Sequence, residues 1–258
     1  MGKRHESIGI KQVVRLEWYN LALDLLLRGR PKNEIRQELT KILKDRLQSG
    51  GFGERGESTY VKAVGQIMQC WVTPAKELIP FRDKALQCAQ ECPRNARLPI
   101  HWAVTIAAYP FWHKVAVQVG RLLNLQPVVS QAQIRKRCYE AFGERSTIER
   151  SARRVIRSFV TWEVLKDSLT KGCYEKHDPI PISNQTISAL LIEATLYTSP
   201  TGSMPLSIIK DDPALFPFHL PPFNGNMLTL PGVEYIRHGL DNELLKLCPT
   251  AIGRHGKG

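Results

Sequence analysis

Ser146-Thr147-Ile148-Glu149-Arg150-Ser151-Ala152-Arg153-Arg154-Val155-Ile156-Arg157-Ser158-Phe159-Val160-Thr161-Trp162 is the stretch on which the fold turns. Ile148, Ala152, Val155, Phe159 and Trp162 follow one another at helical spacing and predict a single apolar stripe on one amphipathic helix. Ser146 with Glu149 three residues on has the pattern of a capping box, which places the helix start. Arg150, Arg153, Arg154 and Arg157 fall away from the stripe, within the first three turns, so the apolar face docks and the arginine face is left for a partner. Guanidinium groups on the N-terminal half of a helix suit duplex DNA, where they bind phosphate or the edge of guanine in the major groove. A solvated basic face with pairs such as Glu149 and Arg153 has the same pattern, so the flanking elements decide between the two.

Upstream, Ser130 and Gln133 form another capping box, and Ile134, Cys138, Ala141 and Phe142 mark one face of a short helix that stops at Gly143. Downstream, Trp162-Glu163-Val164-Leu165 closes the arginine helix. The runs Thr170 to Tyr174 and Ile180 to Ile182 then read as two short strands around Lys176-His177-Asp178-Pro179, a β-wing. Between residues 130 and 176, 11 Lys and Arg face 6 Asp and Glu, a net charge of +5. The candidate DNA-binding residues are Arg135, Lys136, Arg145, Arg150, Arg153, Arg154, Arg157, Lys171 and Lys176.

This segment resembles the winged helix-turn-helix family of DNA-binding domains, in which a pattern such as Ser151-Ala152-Arg153-Arg154-Val155-Ile156-Arg157-Ser158-Phe159 leads through a Trp-Glu-Val-Leu turn into the wing. The resemblance covers about a fifth of the chain, and winged helices also serve as protein-interaction modules. The wider arrangement is similar to the small A-component of BREX-type bacterial phage-defence systems. It shares an N-terminal hairpin ending Leu25-Leu26-Leu27-Arg28-Gly29, an arginine-rich central helix and a C-terminal section with few catalytic candidates. That resemblance implies an accessory protein that binds double-stranded DNA, without an enzymatic role, beside other proteins of a defence complex.

Working outward, Lys11 to Arg28 predicts a helix with Val14, Leu16, Leu21, Leu25 and Leu27 among charges and Gly29 as its terminator. Pro31 opens a second helix carrying Ile35, Leu39, Ile42, Leu43 and Leu47. Ser49-Gly50-Gly51-Phe52-Gly53 breaks it, and a helix from about Ser58 to Val72 turns Val61, Val64, Ile67 and Met68 inward. Thr73-Pro74 predicts a capped helix towards Glu91. From Leu98 to Leu125 the chain is most apolar, and Trp102, Tyr109, Phe111 and Trp112 read as core in preference to a base-stacking platform. His101 and His113 read as hydrogen-bonded structural residues.

Ser183 is expected to cap a helix through Tyr197, followed by a proline-rich run, Pro205 to Pro222, draped over the core. Met227 to Leu230 and Val233 to Ile236 predict a hairpin, Asp241 to Leu247 a last helix, and the residues from Pro249 a disordered tail. The fold class is thus mainly α, a helical bundle containing a winged helix-turn-helix with a small wing and a short C-terminal hairpin. The expected division is an N-terminal helical domain over 1–126, the winged region over 127–200 and the C-terminal section over 201–258.

Composition bounds the function. With 258 residues there is chain enough for a core without staples, and no apolar run reaches the length of a membrane span. The formal charge of +12 favours a polyanionic partner. Met-Gly-Lys-Arg-His-Glu is not followed by an apolar signal segment, so a cytoplasmic location is expected. The six cysteines lack zinc spacing, no nucleotide loop or hydrolase motif occurs, and Asp211-Asp212 before Pro213 reads as a turn more readily than a nuclease metal site. No metal, no cofactor and no catalysis are therefore expected. A protein-interaction scaffold is the competing reading.

Overall fold

Proline and glycine punctuation divides the first half of the chain into helices, as a computed structural model of the protein shows; it describes residues 4–223, 231–238 and 242–248. Helices α1 (Leu16–Leu27) and α2 (Lys32–Lys44) form the expected hairpin, and Gly29 between them takes φ +70°. The buried face of α1 is Trp18, Tyr19, Ala22 and Leu23, while Leu16, Leu21, Leu25 and Leu27 are only half-buried. Residues 11–15, expected as helix, are irregular, with a bend at Gln12 and extended backbone at Arg15. Helix α3 (Glu57–Trp71) buries Val64, Ile67 and Met68 but leaves Val61 exposed.

Thr73-Pro74 does not start the next helix. The Thr73 hydroxyl donates to the Met68 carbonyl and so finishes α3, and α4 (Ile79–Glu91) begins after a 3-10 turn at Lys76–Leu78, with Pro80 in its first turn. Helices α5 (Leu98–Ala108) and α6 (Pro110–Leu123) are buried through almost their whole length. There Trp102, Trp112, Phe159, Trp162, Phe216 and Phe218 make an aromatic hub, with Trp102 5.0 Å from Phe159 and Trp112 5.3 Å from Trp162 between ring centroids. Residues from all along the chain enter one continuous hydrophobic cluster.

From α6 the order continues as β1 (Val128–Ser130), α7 (Gln131–Phe142), α8 (Ser146–Thr161), β2 (Leu165–Asp167) and β3 (Cys173–Lys176). These strands form an antiparallel sheet in the order β1-β3-β2. The capping box at Ser130 is fully formed, with Gln133 N donating to Ser130 Oγ at 3.1 Å and Gln133 Oε1 accepting from Ser130 N at 2.8 Å. Ile134 and Cys138 are buried, Phe142 is half-buried and Ala141 is exposed. The second capping box fails. Arg145 is the N-cap of α8, with no side-chain cap, because Arg135 and Tyr139 draw the Glu149 carboxylate to α7 at 3.1 and 2.9 Å.

The two strands expected to form a wing, Thr170 to Tyr174 and Ile180 to Ile182, do not pair with each other. The hairpin joins β2 to β3 through residues 168–172, with Gly172 at φ +77°. Ile180–Pro181 (β4) instead leaves to pair in parallel with Phe218–His219 (β6), where Ile180 N donates to the Pro217 carbonyl at 2.8 Å. Pro181 has no N–H to offer a ladder and fits this short edge.

Helix α9 (Gln185–Leu196) is capped by Asn184, not Ser183, and Ile187, Leu190, Leu191 and Ala194 are buried as expected. The proline-rich run does drape over the core. It holds β5 (Ser203–Pro205), the short helix α10 (Leu206–Lys210) and a 3-10 turn at Pro213–Leu215 that lies on α6. The last expected helix is a strand. Asn242–Leu247 (β8) pairs with Val233–His238 (β7) and with β5, and Leu245 and Leu247 alternate into the core. Six residues are too few to hold a helix alone, and two flanking strands satisfy this backbone. The expected strand Met227 to Leu230 and the tail from Pro249 lie outside the described residues. Among those described, no helix is long and apolar enough to cross a membrane.

Candidate nucleic-acid interface

Helix α8 is fixed by what lies beneath it. Ile148, Ala152, Val155, Ile156 and Phe159 are buried, with Trp162 at the C-cap. Residues 10–14 run beside this face: Ser151 Oγ donates to the Ile10 carbonyl at 3.0 Å, and Ser158 Oγ accepts from Val14 N at 3.0 Å. Trp162 Nε1 donates to the Val14 carbonyl at 3.0 Å. Glu163 then turns the chain with φ +58°, and Val164 N closes back on the Phe159 carbonyl. With the stripe held in this way, the orientation of the opposite face is determined.

On that opposite face Arg150 and Arg153 are exposed and Arg154 is half-buried. Among the described residues none of the three pairs with a carboxylate at salt-bridge distance. Arg150 Nε donates to the Ser146 carbonyl at 3.3 Å. Partial burial lowers the pKa of Arg154, and the Arg150 and Arg153 charges lower it further. The Arg150 and Arg153 charges thus act against that of Arg154, and the Glu149 counter-charge acts on Arg153 from beyond salt-bridge distance.

Arg157 differs. It pairs with Asp167 on β2 and hydrogen-bonds Tyr174 on β3. Burial opposes its charge, but Asp167 and Tyr174 more than offset this and hold its pKa above the ordinary value. Its expected freedom is thus corrected: the side chain ties the β2–β3 hairpin to α8. Tyr174 is shifted up by burial and drawn back by the Arg157 and Arg153 charges.

Arg135 of α7 is similarly engaged with Glu149 at 3.1 Å. Hydrogen bonds from Tyr139 and Arg135 hold the Glu149 pKa below its usual value. Lys136 on α7, Arg145 at the start of α8 and Lys171 in the hairpin loop are exposed, and Lys176 on β3 is half-buried. The nine candidate residues thus lie between α7 and β3: two on α7, Arg145 at the N-cap of α8, four on α8, Lys171 in the β2–β3 loop and Lys176 on β3. Arg137, exposed on α7 beside Lys136, was not among the candidates, although the run Arg135-Lys136-Arg137 is visible in the sequence. The roles of Asp167 and Tyr174 depend on strand register and left no sequence signal.

Elsewhere the polar chemistry is internal. His101 Nδ1 accepts from Trp71 Nε1 at 3.0 Å and its Nε2 faces Asn20 Oδ1 at 3.0 Å, while burial, aided by Arg97 and Arg94, lowers its pKa to about 3. His113 Nε2 lies 2.7 Å from Asp212, which also accepts from Ala214 N, so the acidic pair is a turn cap. Trp102, Tyr109, Phe111 and Trp112 are buried and present no stacking platform. Among the described residues no three His, Cys, Asp or Glu side chains are grouped to hold a metal. No protein-family model, curated protein or solved structure matches the chain.

Proposed function

We propose that the protein binds double-stranded DNA as a non-enzymatic accessory, laying the N-terminal half of α8 in the major groove with the β2–β3 hairpin as a wing beside it. The observation that carries this reading is the set Arg150, Arg153 and Arg154: three guanidinium groups on one face of a docked helix, with no carboxylate at salt-bridge distance among the described residues. Such a face is completed by an external polyanion. The order α6-β1-α7-α8-β2-β3 with sheet order β1-β3-β2 supports the winged helix-turn-helix reading, since the second helix of the pair is then flanked by a hairpin tied to it through Arg157. The resemblance to the A-component of BREX-type systems extends the reading to a bacterial phage-defence complex, with other proteins of that complex as further partners.

Titration of a fluorescent duplex by anisotropy at several salt concentrations tests the proposal. If the three unpaired arginines each meet a phosphate, log K should fall against log salt with a slope of about −2.7 or steeper. Absent binding, or binding indifferent to salt, would favour a protein-interaction scaffold.

A further inference from the structure

Leu169 is wholly exposed, in contrast to the leucines of the core. It sits in the loop that joins β2 to β3, two residues beyond Asp167 and two before Lys171. The loop is built and not slack: Ser168 N donates to the Cys173 carbonyl at 2.9 Å, Cys173 N donates to the Thr170 carbonyl at 3.0 Å, and Gly172 supplies the left-handed turn. Its base is tied to α8 by the ion pair of Arg157 with Asp167. The other strongly exposed large apolar groups have different settings. Phe52 is covered by the Arg46 guanidinium at 3.5 Å, and Leu125 lies in the connection between α6 and β1, not in a hairpin.

We propose that Leu169 is an apolar wedge for the minor groove, entering a base step next to the groove occupied by α8 and bending the duplex, while Lys171 meets a phosphate beside it. This rests on the DNA-binding reading. An apolar side chain held out in water gains nothing from the fold, but between unstacked bases it loses its water-exposed surface, and apolar wedges of this kind kink DNA by roughly 20 to 90°. The rigid loop means that little ordering is left for the moment of binding.

The test compares the full-length protein with Leu169→Ala, Lys171→Ala and Leu125→Ala on a duplex labelled at both ends, reading affinity by anisotropy and bending by energy transfer. The wild type should shorten the end-to-end distance. Leu169→Ala should abolish that change and weaken binding by roughly tenfold with an unaltered salt slope, since no charge is removed. Lys171→Ala should keep the bend and reduce the slope by about 0.9. Leu125→Ala should match the wild type. A wild-type complex with straight DNA, or equal bending by Leu169→Ala, overturns the wedge and leaves DNA binding intact. Failure of the wild type to bind any duplex overturns both. Because Leu169 touches no core residue, its variant should melt with the wild type, and a shared melting temperature separates a lost wedge from a lost fold.

Discussion

Arg157 and Arg153 sit one helical turn apart with the same formal charge and different work to do. The first is neutralised by Asp167 and bonded to Tyr174, and the second has no carboxylate at salt-bridge distance among the described residues. A phosphate gains little from a guanidinium already paired, so Arg157→Ala should change the salt slope of DNA binding by clearly less than the ~0.9 expected of Arg153→Ala. Equal changes in the two salt titrations would show that the Asp167 pair opens in the complex. His101 is the other residue whose surroundings decide its chemistry. Its folded pKa, about 3, lies below the unfolded value near 6.5, so the unfolded chain binds the extra proton first as pH falls. Stability from this group is complete above pH ~6.5 and is lost progressively as pH falls towards 3, about 2 kcal/mol between pH 7 and pH 5. Urea unfolding at those two pH values should show the loss, and His101→Gln should remove most of the difference.

Element boundaries depend on which partner a polar side chain finds first. The capping boxes at Ser130 and Ser146 look alike in sequence, and only the first forms, because the Gln133 amide holds its own cap and Gln126 together whereas Glu149 is taken by Arg135 and Tyr139. The apolar stripe of α8 was legible because period and burial agree over four turns. The strand Asn242–Leu247 was not, since its pairing with β5, Ser203 opposite Lys246, is distant along the chain, and its local pairing with β7 is hidden when Asp241 to Leu247 is read as a helix. The same holds where α6 meets the proline-rich run. A Cβ added to Gly120 would lie 2.0 Å from the Pro213 carbonyl oxygen, so the glycine allows that backbone to lie directly on the helix. Gly120→Ala should cost about 3 kcal/mol or more in chemical denaturation, because backbone must move to admit it. A cost below about 1 kcal/mol would mean that the 3-10 turn is loosely seated.

For the whole molecule, the legible part was the helical body and the basic segment at its edge. The illegible part was the long-range order that arranges them: residues 10–14 beside α8, the parallel pairing of Ile180–Pro181 with Phe218–His219, and the aromatic hub drawn from both halves of the chain. That order turns a net charge of +12 into a local surface, since Arg150, Arg153 and Arg154 share one face of a docked helix with no carboxylate at salt-bridge distance among the described residues. The most direct measurement is the salt dependence of duplex affinity for two triple charge reversals: Arg150, Arg153 and Arg154 to Glu on α8, and Arg36, Lys41 and Lys44 to Glu on the exposed side of α2. Both change the net charge equally. The α8 reversal should abolish binding at moderate salt with an unchanged melting temperature, while the α2 reversal keeps affinity within a few-fold and keeps the wild-type slope. Equal losses from the two would contradict a docked α8 and assign the binding to diffuse charge.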